Sequence, residues 1–170
     1  MPKIIFNHKI LNEKKLKFSV DNRAFLYGDG LFESVKIING KPFNLEAHLK
    51  RLFSASIQLD LQINTSKKDF RNKIELLIKE NKIIKGGNLK IIVFREKGGK
   101  FLPENNSTSF LIMSEKSETN LFKLNKNGLA LGLFRDQLKP KGTLSNYKTI
   151  SALQSKSEKI INRLGYLLSK

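Results

Sequence analysis

The sequence predicts an α+β domain in which an antiparallel-leaning sheet carries two packing helices. Four stretches show the period of two that is typical of strands: residues 31–38, 88–96, 107–113 and 128–136. Two others repeat apolar residues at helical spacing, residues 45–57 and 70–78. Polar or glycine-containing turns separate these elements, which is typical of a sheet built from consecutive short strands.

A small hairpin is predicted at the start of the chain, where residues 3–6 and 9–11 flank Asn7-His8. His8 is then expected in an exposed turn. In the strand over residues 31–38, apolar side chains alternate onto both faces, so part of this strand should be covered on both sides.

The first long helix is predicted to begin at Asn44, after an Asn39-Gly40 turn and a short return strand. The Asn44 side chain is expected to cap the first turn. The buried stripe of this helix is predicted to comprise Leu45, Leu49, Leu52, Phe53 and Ile57. His48 and Arg51, three residues apart, should project together, either as ordinary surface residues or as part of a site.

The second helix should be an ordinary packing helix. At the start of this helix, Ser66 and Asp69 are predicted to form a variant of the capping box. Its stripe is predicted to comprise Phe70, Ile74, Leu77 and Ile78. Gly86-Gly87 is expected to end any helical turn that remains beyond Ile84.

Composition limits the classes of function. The 170 residues contain no cysteine and two histidines, so we expect neither a disulfide framework nor a metal site. No apolar run has the length of a membrane span, and the start of the chain lacks the layout of a signal peptide, so a cytoplasmic location is expected. The formal net charge of +17 leaves open a basic binding module. Nucleic-acid binding is nevertheless disfavoured, because no block of five like charges occurs.

Three motifs in one order carry a resemblance to a known family. They are Tyr27-Gly28-Asp29-Gly30-Leu31-Phe32-Glu33, Asn39-Gly40 and His48-Leu49-Lys50-Arg51-Leu52. Together they resemble the opening of the class IV aminotransferases, the fold-type IV enzymes that use pyridoxal 5'-phosphate. A match in order over some thirty residues is more specific than a single glycine motif.

The resemblance implies roles for particular residues. Lys148, within Asn146-Tyr147-Lys148-Thr149-Ile150-Ser151, lies where the family carries the lysine that forms a Schiff base with the cofactor, although Ser151 stands where asparagine is commoner. Arg51 matches the position that binds the cofactor phosphate. The remaining implied residues face the substrate: Tyr27 and Phe32 as aromatic lining, and Arg95 or Lys90 as alternative partners of a substrate carboxylate. Arg51 and Lys148 are therefore expected to face a common cavity.

The resemblance also implies a domain organisation. Residues 1–137 would form the small N-terminal α+β domain, and residues 138–170 an interdomain loop, the catalytic-lysine segment and the start of a truncated second domain. Since the family is roughly twice as long, the second domain is expected to be missing and the 170-residue chain to be weakly active or inactive. A homodimer is expected.

The implied reaction is amino transfer from a branched-chain or D-amino acid to a 2-oxo acid. The alternative within the family is a lyase that acts on 4-amino-4-deoxychorismate. Leu153 resembles the lyase and D-amino-acid branches more than the branched-chain branch, where tyrosine is usual, and this one position leaves the substrate open.

Overall fold

The computed structural model describes residues 1–119, 122, 126–128 and 142–151. Six strands form one sheet in which every neighbouring pair is antiparallel, in the order β2-β1-β6-β5-β3-β4. The strands are β1 Lys3–Phe6, β2 Lys9–Asn12, β3 Gly30–Ile38, β4 Lys41–Pro42, β5 Gly86–Arg95 and β6 Thr108–Ser117. This confirms the predicted N-terminal hairpin, the strand before Asn39-Gly40 and the short return strand.

Within the part of the chain that the structure describes, three α-helices accompany the sheet: α1 Arg23–Tyr27, α2 Leu45–Gln58 and α3 Lys67–Glu80. Short 3-10 helices occupy Glu13–Lys15 and Thr143–Asn146. The predicted α+β class with two packing helices is therefore confirmed. The short helix α1 was not predicted, because five residues give too few turns for a helical period to show.

The predicted ends of the two long helices are confirmed in part. The Ser66 hydroxyl accepts the amide of Asp69, as a capping box requires. Asn44 does precede α2, but the predicted cap bond is wrong: this residue has a φ of 51° and its side chain makes no cap bond. In that left-handed conformation the side chain is directed away from the first-turn amides.

Two further predictions need correction. Ile57 is 75% exposed rather than part of the buried stripe of α2. The neighbouring Ala55 and Ser56 face the core in the same turn, so the step of about 100° per residue turns Ile57 away from it. Gly86 and Gly87 do not end a helix but begin β5, where they pair with Ser117 and Lys116.

Some predictions fall on residues that the structure does not describe. Most of the predicted strand over residues 128–136 lies outside the described residues. So does the predicted domain boundary between residues 137 and 138.

The core lies between the sheet and the helices α2 and α3. Alternate residues of β3 and β5 face it, and Phe70 and Ile74 of α3 are fully buried there. The opposite face of the sheet is partly covered by the stacked and edge-on rings of Phe6, Phe18 and Phe94. This confirms that β3 belongs to a sheet with apolar side chains on both faces. Within the described residues, no helix has the length and apolar character needed to cross a membrane.

Candidate functional site

Residues 148–150 lie against the outer edge of β3. The Phe32 amide donates to the Lys148 carbonyl at 2.8 Å, and the Ile150 amide donates to the Gly30 carbonyl at 2.9 Å. Tyr147, just before this segment, packs against the core. Because Leu31 pairs with Thr149, Lys148 lies directly opposite Phe32, and antiparallel partners share a face. The side chains of Lys148 and Phe32 are thereby placed on the same face of the sheet.

Two amines flank the Phe32 ring on that face, which is the one opposite the helices. The Nζ atom of Lys148 lies 4.8 Å from the ring centroid, and the Nζ atom of Lys90 lies 5.3 Å from it. Lys90 pairs with Ser34 in the β3–β5 ladder and so projects to the same side. The structure thus brings together three of the predicted site residues, Lys148, Phe32 and Lys90.

A second charged cluster lies on the helix-covered face. Arg51 donates through Nε to Glu33 Oε1 and through Nη2 to Oε2, both at 2.6 Å. The Nδ1 atom of His48 lies 2.8 Å from Oε2 of the same carboxylate. The Glu33 side chain is 1% exposed, whereas that of Arg51 is 50% exposed. The prediction that His48 and Arg51 project together is confirmed.

The Glu33 carboxylate stays ionised because of this cluster. Burial acts to raise its pKa, but the hydrogen bonds and charges of Arg51 and His48 outweigh burial, so the pKa of Glu33 lies below its ordinary value of 4.5. Conversely, the hydrogen bond to Glu33 raises the pKa of Arg51. Arg51 is therefore a permanent cation, and its Nη1 atom has no hydrogen-bond partner among the described residues.

We expect this cluster to make stability depend on pH in the acid range. A depressed pKa contributes stability above the unfolded-state value of about 4.3, and this contribution is lost as the pH falls through the lower folded-state value. Urea unfolding between pH 7 and pH 3 should show this loss, and Glu33→Gln should flatten the profile below pH 5. An unchanged acid profile in Glu33→Gln would contradict the assignment.

The two clusters are close along the chain but lie on opposite faces. Phe32 and Glu33 are consecutive strand residues, whose side chains alternate between faces. Lys148 and Arg51 therefore approach the outer edge of β3 from opposite faces, and a common cavity between them stays a prediction. A cavity of about 1160 Å³ on the open face includes Lys90 in its lining but neither Lys148 nor Arg51. A ligand that contacts both groups has to span the strand edge.

Tyr27 lies at the end of α1 and is partly exposed. Its ring contacts that of Phe101 at a centroid distance of 5.9 Å, and the Arg23 guanidinium lies 4.7 Å from its centroid. The adjoining turn approaches the Lys148 segment, because a Cβ added at Gly28 would lie 3.2 Å from the Ser151 Cβ. The substrate-lining role of Tyr27 stays a prediction.

Arg95 is bound by the chain itself. Its guanidinium donates to the Asp29 carboxylate at 3.1 Å, to the carbonyls of Asp60 and Leu59 at 3.0 and 2.9 Å, and to the Asn106 side chain. These contacts use four of its five N–H groups and join the end of β5 to three loops. They favour a structural role, and the contact with a substrate carboxylate stays a prediction.

The partners of Glu33 were not predicted from the sequence. A signal was present: Glu33 alternates with Leu31 and Val35 on the apolar face of a strand, and a buried carboxylate requires a cation. The following helix supplies Arg51 and His48 on adjacent turns. The buried Arg23 donates to the Asp29 carboxylate at 2.8 Å and to carbonyls of the 98–101 loop. No pattern in the sequence indicated that Arg23 would be buried.

The contact between β3 and the Lys148 segment should be sensitive to Gly30. A Cβ at this position would lie 2.4 Å from the Val93 carbonyl oxygen and 2.5 Å from the Ile150 Cδ1. Gly30→Ala should therefore force apart neighbouring strands, at a cost of about 1–3 kcal/mol in the free energy of unfolding. Gly142→Ala, where no atom lies within 4 Å, is the matched control. Equal stability of the two variants would contradict the packing described.

The fold is shared with solved aminotransferases. The branched-chain amino acid aminotransferase of Escherichia coli superposes with a TM-score of 0.63 at 20% identity, covering 68% of this chain and 41% of that one. A hypothetical aminotransferase from Mycobacterium tuberculosis, in its PLP-bound form, gives a TM-score of 0.58 at 22% identity, covering 67% and 39%. The architecture is therefore that of part of an aminotransferase.

The family is shown by sequence. The model of the family described as "Amino-transferase class IV" matches residues 30–159, a span that includes Phe32, Glu33, Arg51 and Lys148. The chain belongs to the class IV aminotransferase family.

Curated relatives include two D-alanine aminotransferases. That of Staphylococcus epidermidis is 29% identical over 87 residues, covering 51% of this chain and 31% of the relative. That of Listeria monocytogenes is 32% identical over 84 residues, covering 49% and 29%. The chain thus matches about a third of the length of these relatives.

Proposed function

We propose that this chain takes part in pyridoxal 5'-phosphate-dependent amino transfer from a D-amino acid to a 2-oxo acid, with Lys148 as the catalytic lysine. The single observation that carries the proposal is the position of the Lys148 amine, held by backbone pairing opposite Phe32 on a rigid strand. Membership of the class IV family supports the reaction class. The homodimer implied by the resemblance is part of the same proposal.

The donor chemistry of the described residues fits this cofactor. Lys148 offers an amine that lies over the Phe32 ring, and Arg51 offers an Nη1 group that is unbonded among the described residues and can donate to a phosphate oxygen. Lys148 would hold the aldehyde end and Arg51 the phosphate end. When bound, pyridoxal 5'-phosphate supplies an aldehyde that condenses with amines and a ring that withdraws electrons from the adjacent carbon.

The residues of the chain then perform binding and proton transfer. Nζ of Lys148, in its neutral form, can accept a proton from the substrate α-carbon and return it to a neighbouring carbon. The Phe32 ring covers one side of this amine and excludes water there. Arg51 remains charged throughout, so its own contribution to phosphate binding does not vary over the working pH range.

The relatives favour a D-amino acid over a branched-chain L-amino acid. The sequence matches at 29% and 32% identity are to D-alanine aminotransferases, whereas the branched-chain enzymes are matched in fold at about 20% identity. Because sequence similarity indicates the substrate of an enzyme better than a shared fold does, D-alanine is the first donor to test.

The test uses the full 170-residue chain and added pyridoxal 5'-phosphate. We expect a new absorbance band at longer wavelength than the band of the free cofactor. This band should be absent in Lys148→Ala and retained in Lys36→Ala. Lys36 is a suitable control because it lies on β3, on the same face as Phe32, and its amine donates to the Asn88 side chain. The band should be discharged by D-alanine more readily than by L-leucine. A band that survives Lys148→Ala would overturn the proposal, and preferential discharge by L-leucine would overturn the choice of donor.

A further inference from the structure

We propose that Glu33 is a positioning residue that orients Arg51 so that its Nη1 edge is presented to a phosphate. This inference rests on the proposed function, because it concerns how the phosphate end of the cofactor is held. Glu33 itself is 1% exposed and does not reach solvent. Its effect on a ligand has to pass through Arg51.

The contacts fix the guanidinium in one plane. Nε donates to one carboxylate oxygen and Nη2 to the other, both at 2.6 Å, which is the parallel two-bond geometry of an arginine–carboxylate pair. The carboxylate is itself held from a second direction by His48 Nδ1 at 2.8 Å. One edge of the planar group, formed by Nε and Nη2, is thereby occupied, and among the described residues Nη1 is the nitrogen left for a ligand.

Such fixing matters because Arg51 is half exposed. A free arginine side chain loses rotamer entropy when it is held in one geometry. Here the buried Glu33 carboxylate on β3 orients Arg51 when the chain folds, so this entropy is not lost again when a phosphate binds. The carboxylate also lowers the local positive charge, which by itself would weaken the attraction of a phosphate. Orientation and charge therefore act in opposite directions, and an experiment can separate them.

The experiment compares two ligands that differ only in the phosphate. Full-length chain is titrated with pyridoxal 5'-phosphate and with pyridoxal at fixed ionic strength, and the ratio of the two dissociation constants is taken for each variant. Glu33→Gln should reduce the preference for the phosphorylated ligand about tenfold, which is about 1.4 kcal/mol, because Arg51 is then less firmly oriented toward the phosphate. The affinity for pyridoxal should change little.

Two variants complete the comparison. Glu46→Gln removes the same charge from α2 at an exposed glutamate that pairs with Arg71, so it reports the effect of charge alone and should leave the ratio unchanged or slightly raised. Glu33→Asp keeps the charge but shortens the reach to Arg51, and it should reduce the ratio even if Glu33→Gln fails to fold. Circular dichroism confirms folding in each case.

The outcomes separate the inference from the proposed function. Wild-type chain that binds the two ligands equally would remove the basis of both the phosphate role of Arg51 and the inference. Wild-type preference for the phosphorylated ligand, retained in folded Glu33→Gln and Glu33→Asp, would overturn the inference alone. A raised preference in Glu33→Gln would show that charge outweighs orientation and would also overturn it.

Discussion

Arg51→Ala should lower the free energy of unfolding by about 3–5 kcal/mol at pH 7, far more than is usual for a half-exposed residue. The substitution removes both N–H bonds that hold the Glu33 carboxylate and leaves this 1% exposed group with His48 alone. An unpaired buried carboxylate is costly, and it responds by taking up a proton. The loss, measured by urea unfolding, should therefore become smaller as the pH falls toward 4.

Two comparisons test this explanation. Arg71→Ala removes an arginine from an exposed ion pair with Glu46 and should cost no more than about 1 kcal/mol. Adding Glu33→Leu to Arg51→Ala removes the unpaired carboxylate and should recover much of the lost free energy of unfolding. Equal costs for Arg51→Ala and Arg71→Ala would mean that the carboxylate does not depend on Arg51.

Arg95→Met should be similarly destabilising, by about 3–5 kcal/mol, measured by the same unfolding experiment. Methionine fills the space but leaves the Leu59 and Asp60 carbonyls and the Asn106 side chain without their donor. Among the described residues, the Asp29 carboxylate then keeps its contact with Arg23. Since Arg95 ties the end of β5 to three loops, the loss should appear with or without ligand.

The matched control for Arg95 is Lys97→Met, two residues along the chain. Lys97 is an exposed cation 3.9 Å from Asp21, and its replacement should leave the unfolding curve unchanged. If Arg95→Met proved as stable as Lys97→Met but changed the binding of a dicarboxylic ligand, Arg95 would be a substrate residue rather than a structural one.

The sequence predicted most of the fold because local signals and burial agreed. Alternation in β3, the Asn39-Gly40 turn and the apolar stripe of α3 each had one consistent interpretation. Errors arose where local chemistry left alternatives: Gly86-Gly87 serves as well at the start of a strand as after a helix. Asn44 adopts a left-handed conformation that only the backbone reveals.

The candidate site was predicted less completely, for a geometric reason. The resemblance supplied Lys148 and Arg51, but one residue of offset along a strand decides the face on which a group lies. Lys148 lies opposite Phe32, whereas Arg51 reaches Glu33, so the two groups approach β3 from different faces. The pairing of residues 148–150 with β3 joins positions more than a hundred residues apart, which no local pattern encodes.

Reduction of the complex with pyridoxal 5'-phosphate by borohydride, followed by peptide mass spectrometry, tests the central claim most directly. The account predicts one dominant modified residue, Lys148, with Lys36 and Lys90 unmodified although both lie on the same face of the sheet. Modification spread over many surface lysines, or concentrated on Lys90, would contradict it.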